Sequence, residues 1–102
     1  MSVTYLIRFD VVPEQLDRFA ALLNPVLDAM RAETTFRNAI LHRHPDDPCQ
    51  FLLYETWADH EDVMNVQLHR PYRAAWHEAL PELLARPRDI SVWHTVRSDG
   101  AG

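Results

Sequence analysis

The densest concentration of side chains able to do chemistry is His69, Tyr72, Trp76 and His77. On a helix Tyr72 and Trp76 stand one turn apart and share a face. His69 precedes Tyr72 by three positions and joins that face if the helix continues through Pro71. If the face covers a sheet, the imidazole is a base suited to neutral pH and the two rings wall an apolar pocket. The same spacing also suits two core aromatics and a histidine at a helix break, and the pattern alone leaves both readings open.

A second group lies in Phe51-Leu52-Leu53-Tyr54-Glu55-Thr56-Trp57, a run of strand formers whose alternate residues take opposite faces. Phe51, Leu53, Glu55 and Trp57 line one face, and Leu52, Tyr54 and Thr56 line the other. Both faces are largely apolar, so neither belongs in bulk water, and Glu55 among them needs a partner or a wet cavity. Tyr54 and Trp57 can serve a ligand or the core. Arg8 is the more pointed charge: it either pairs with Glu55 as a buried ion pair or binds an acidic oxygen. His42 and His44 share a strand face, and imidazole is a good metal ligand. Cys49 beyond a two-proline turn is the sole further candidate, so exposed edge histidines are expected rather than a metal site.

Composition removes several classes of function. A net charge of -5 opposes binding to nucleic acid, where phosphates must be neutralised. The 10 basic residues are all arginine, which removes Schiff-base lysine chemistry and the phosphate-loop lysine. Gly100 and Gly102 are the 2 glycines, so a Gly-rich loop cradling a phosphate or dinucleotide is excluded. No apolar run approaches the ~18 residues of a membrane span. Residues 1–4 lack the basic and apolar regions of a signal peptide. The lone Cys49 suits a reducing cytoplasm, where the chain is expected.

The elements that position these residues follow from periodicity. Residues 3–11 alternate as a strand, and residues 14–32 carry an amphipathic helical stripe with a kink expected at Pro25. Residues 36–44 form a second strand, turned by Pro45-Asp46-Asp47-Pro48 into the strand at 51–57. A turn centred near Asp47 sets Ile40 opposite Glu55 and His42 opposite Leu53. Asp59 caps a short helix that Arg70-Pro71 breaks; residues 72–84 carry a second stripe, bent at Pro81, and 90–96 a last strand. The 102 residues make one domain over 1–97 with a loose tail at 98–102. The order β-α-β-β-α-β predicts an α+β, ferredoxin-like antiparallel sheet with the first and third strands central.

Two helical segments cover one face of such a sheet. Yet Val3, Tyr5, Ile7, Phe9, Phe51, Leu53 and Trp57 oppose a second apolar set of Leu6, Leu41, Leu52, Tyr54 and Trp93. Each large side chain buried contributes roughly 1.5–3 kcal/mol, so a homodimer packed sheet against sheet is expected.

Around residues 51–59, with Glu55, Trp57 and then Asp59 opening a helix, the chain resembles the antibiotic biosynthesis monooxygenase domain family. Arg31 and Glu33 before the second strand, and a leucine-rich helix leading to the Trp93 strand, support the likeness over residues 3–96. The resemblance implies a dimeric α+β barrel, often a cofactor-independent oxygenase of phenols, quinols or polyketides. It implies no cofactor or metal. On that mechanism the residues singled out above supply His69 and Trp57 as catalytic candidates, with Arg8, Tyr54, Tyr72 and Trp76 around a small aromatic substrate, although the family's helix histidine falls at Val66 here. The other expectation on this fold is a non-catalytic dimeric binding or accessory module. Haem-degrading relatives use an asparagine, a tryptophan and a histidine where this chain has Arg8, Val66 and Trp76, so haem degradation is not expected.

Overall fold

The computed structural model describes residues 2–100 and shows a four-stranded antiparallel sheet in the order β2-β3-β1-β4. Its strands are β1 (Val3–Asp10), β2 (Phe36–His44), β3 (Asp47–Trp57) and β4 (Asp89–His94). Helices α1 (Leu16–Met30), α2 (His60–Asn65) and α3 (Ala74–Leu83) complete the α+β, ferredoxin-like order expected from the sequence. Ala101 and Gly102, placed in a tail by the sequence, lie outside the described residues.

The two central strands supply the core because both their flanks are paired. Val3, Tyr5, Ile7 and Phe9 of β1 and Leu53 and Trp57 of β3 are buried beneath Phe19, Leu23, Val26 and Met30 of α1. Trp76, Ala79 and Leu83 of α3 cover the same layer. The aromatic centre is closely built: Phe9, Phe19 and Trp76 meet edge to face at 5.3 to 5.7 Å between centroids.

Helix α1 runs through Pro25 and α3 through Pro81 without ending there. Two local expectations are corrected. The hairpin turn sits at Pro45-Asp46, so β3 starts at Asp47, earlier than the apolar run suggested. The register is Ile40 to Tyr54 and His42 to Leu52, one residue from the expected pairing. Irregularities at Phe36/Asn38 and Arg43/His44 shift the strand, and a one-residue slip exchanges the faces. Ile40 therefore joins the outer face with Tyr54, Leu52, Leu6 and Trp93, while Leu41 turns to the helix side with Leu53.

Main-chain bonds close the helical layer onto the sheet. Val12 N–H donates to Leu83 O at 2.9 Å and Ala85 N–H to Asp10 O at 2.8 Å. The end of α3 is thus clasped to the end of β1. Among the described residues no helix is long and apolar enough to cross a membrane.

Candidate functional site

Glu55 leaves β3 on the helix side, as the alternation beside Leu53 and Trp57 requires, and only 5% of it is exposed. Its Oε1 accepts a hydrogen bond from Trp57 Nε1 at 3.1 Å. Burial pushes the carboxyl above its ordinary value of 4.5, while the Trp57 bond and the guanidinium groups of Arg73 and Arg88 pull the other way. Directly across the sheet stands Tyr5. Burial first, then the charges of Glu55 and Asp59, push its phenol up to about 12. That hydroxyl lies 2.7 Å from Nδ1 of His60, the first residue of α2. The helix start is fixed by Asp59, whose side chain accepts from Asp62 N–H at 3.1 Å.

These groups line a cavity of about 340 Å³ between the helices and the sheet. Ile7, Leu23, Val26 and Leu53 make its apolar walls, with Trp76 from α3. Its mouth lies where Ile90 and Val92 of the β4 edge are half exposed, facing His60 and Met64 of α2. Arg73 and Arg88 supply positive charge. Arg73 is 5% exposed, and its guanidinium carbon sits 5.7 Å from the Trp57 ring centroid and 5.8 Å from that of Tyr72. Its Nε and Nη2 are buried without a hydrogen-bond partner. Among the described residues no group of three or more His, Cys, Asp or Glu is arranged to hold a metal.

The antibiotic biosynthesis monooxygenase profile matches residues 2–84. The chain belongs to that family. A "putative monooxygenase" of the fungus Pestalotiopsis microspora is 33% identical over 93 residues, covering 90% of this chain and 78% of that protein. Among solved structures, a Mycobacterium tuberculosis protein superposes with a TM-score of 0.87 at 22% identity, covering 98% of this chain and 100% of its own. SnoaB, a cofactor-independent oxygenase of Streptomyces nogalater, gives 0.80 at 20% identity over 95% of each chain. Both share the fold.

Within this family member the sequence candidates fall into three places. Trp76 lines the cavity, and Trp57, 0% exposed, lies beneath it as the partner of Glu55 and the platform of Arg73. Tyr72 is half-buried beside Arg73, with its hydroxyl unpartnered. His69 is exposed and outside the lining. Its helix does not continue through Pro71: α2 stops at Asn65 and two single 3₁₀ turns follow, Gln67–His69 and Pro71–Arg73. Gln67 points inward, donating to Asp62 Oδ2 at 3.1 Å, and His69 two positions on points away. Arg8 and Tyr54 occupy the outer face, opposite Leu52 and Leu6 respectively. Arg8 therefore does not pair with Glu55.

The sequence reading missed Tyr5, His60, Arg73 and Arg88. Tyr5 carried a usable signal, since the alternation that places Glu55 inward places Tyr5 beside it. Arg73 closes the 3₁₀ turn Pro71–Arg73, which an extended Arg70 separates from the turn Gln67–His69. Arg70 is tied to Glu33 at 3.0 Å, which holds this junction in place.

Proposed function

We propose that the protein is a cofactor-independent monooxygenase acting on a hydroxyaromatic, quinol or polyketide-like substrate held over Glu55. The observation that carries this reading is the carboxyl itself, nearly removed from water, lining an apolar cavity and made more basic by that burial. A carboxylate tuned upward is a stronger base than a free one, which suits it to take a proton from a bound substrate. The name of the Streptomyces nogalater neighbour, a cofactor-independent oxygenase on the same fold, supports the choice of reaction.

In this mechanism Glu55 takes a proton from the substrate, and the electron-rich anion gives one electron to dioxygen. The two radicals combine to a peroxide anion, which takes the proton back from Glu55 to become a hydroperoxide and then loses water to leave a carbonyl. One oxygen atom enters the product and the other leaves as water; the electrons come from the substrate. Trp57 fixes the carboxyl, Trp76 walls the ring, and Tyr5 with His60 offers the proton a path to the mouth. The protein contributes orientation and exclusion of water.

The working unit in this proposal is a cytoplasmic homodimer. Its outer sheet face leaves Ile40, Tyr54 and Trp93 exposed around Leu6 and Leu52, an apolar surface suited to a second copy. The free Cys49 fits a reducing compartment. Oxygen uptake with a panel of anthrones and naphthohydroquinones tests the reaction. Glu55→Gln keeps the acceptor for Trp57 and should lower the substrate-dependent rate by about 10²–10⁴-fold. If the wild type consumes none of the panel while aromatics raise its melting temperature, the protein is a binding module instead.

A further inference from the structure

We infer that the cavity contains an anion subsite: Arg73, with Arg88 beside it, receives an acidic oxygen that the aromatic ligand carries ionised. The oxygen belongs to a carboxylate or to the enolate of a vinylogous acid, and the ring fills the apolar remainder of the cavity. This deepens the reading above by naming the substrate class, and it rests on that reading for the ligand's place in the cavity.

The first ground is how the arginines are partnered. Arg18, Arg31, Arg70, Arg86 and Arg97 each pair with a carboxylate at 2.6 to 3.4 Å. The other five form no ion pair among the described residues; Arg8, Arg37 and Arg43 are exposed to water, whereas Arg73 and Arg88 line the cavity. For Arg88 the burial is partial; for Arg73 only 5% of the residue is exposed, and Nε and Nη2 have no acceptor. A guanidinium taken out of water without a counter-ion carries a desolvation cost of several kcal/mol, which an incoming anion offsets.

The second ground is the neighbouring charge. The carboxyl nearest to hand, Glu55, has its Oε1 engaged by Trp57, and neither arginine reaches ion-pair distance of it. Two guanidinium groups therefore face at most one carboxylate, whose burial favours its uncharged form. His77 feels the same excess: burial chiefly, then Arg88 and Arg73, disfavours its protonation. The third ground is rigidity. Arg73 lies against the Trp57 and Tyr72 rings, so its fork is held before the ligand arrives.

The apolar walls take the ring of the ligand. Ile7, Leu23, Leu53 and Val92 offer nothing to a second charge, and a cavity of about 340 Å³ suits a compact ring system.

The test is the affinity of matched acid and neutral probes, read from tryptophan fluorescence at neutral pH. One pair is lawsone, whose enol is ionised there, against its methyl ether; the other is hydroxynaphthoate against hydroxynaphthamide. At least one acid should bind about ten-fold or more tightly than its neutral partner. Arg73→Gln should remove that preference, with a change of less than about two-fold for the neutral probe. Preference within the lawsone pair alone assigns an enolate, and within the naphthoate pair alone a carboxylate. Equal binding within both pairs overturns the subsite, as does a preference that survives both Arg73→Gln and Arg88→Gln. Should Arg73→Gln fail to fold, the wild-type pairs and Arg88→Gln decide. An acid preference without oxygen uptake keeps the subsite and removes the oxygenase; uptake without preference does the reverse.

Discussion

The two faces of one sheet are built by the same alternation and end in opposite states. Toward the helices, Glu55 is nearly sealed from water and Arg73 is buried against Trp57. Toward the outside, Arg8 is exposed opposite Asp89, and Ile40 and Trp93 keep 48% and 56% of their surface in solvent. The outer hollow beside Arg8 and His42 is the larger, at about 560 Å³ against about 340 Å³. Volume does not mark the site. The inner face holds charged groups where the dielectric is low and each is worth more, and that distinguishes a place for chemistry from a place for packing.

The comparison breaks first at Trp57. Trp57→Ala should cost about 3–5 kcal/mol in urea unfolding, since it opens the inner core and removes the partner of Glu55. A cost below about 1 kcal/mol would mean that the inner face is not held by this side chain. Next comes the outer face. Wild-type protein should scatter as twice the 11.9 kDa chain, and Ile40→Arg with Trp93→Arg should dissociate it by placing like charges together, at several kcal/mol. A wild-type mass near 11.9 kDa at micromolar concentration would sink the dimer.

The pH dependence of stability sharpens the contrast. Glu55 is raised in the fold, so its contribution is fully present below pH 4.5 and is lost as pH rises through the folded value. His77 has the opposite sign: lowered from 6.5 by burial, it contributes fully above that pH and loses this as pH falls. Glu55→Gln should remove the acid-side gain in the unfolding midpoint while leaving the His77 limb. The smallest effect belongs to Arg8→Ala, which should stay within about 0.5 kcal/mol in stability and leave oxygen uptake unchanged. Lost uptake there would put the reaction on the wrong face.

The sheet order and the grouping of Glu55 with Leu53 and Trp57 on one face were legible because period-two alternation survives in the central strands. Which face the helices cover was not, because both faces are apolar. The second strand was not, because neither of its irregularities is marked by a Gly, and the register changes at each of them. His69 drew attention as a titratable residue near two aromatics, but its direction depended on 3₁₀ turns whose three-residue period is invisible beside a Pro that only announces a break. His60 looked like an ordinary first-turn residue. Its role follows from Tyr5 reaching across the layers, a contact 55 residues apart in the chain.

The clasp between the end of α3 and the end of β1 has a consequence for how such a protein can diversify. Its bonds, from Val12 to Leu83 and from Ala85 to Asp10, are made by main-chain atoms, so they ask nothing of the side chains there. Exposed positions such as Ala85 and Arg86 can change, though buried Leu83 and Leu84 cannot, while Arg88, three residues past Ala85, is still delivered to the cavity wall. Descendants could exchange that one wall residue and acquire a new ligand preference without first having to rescue their fold.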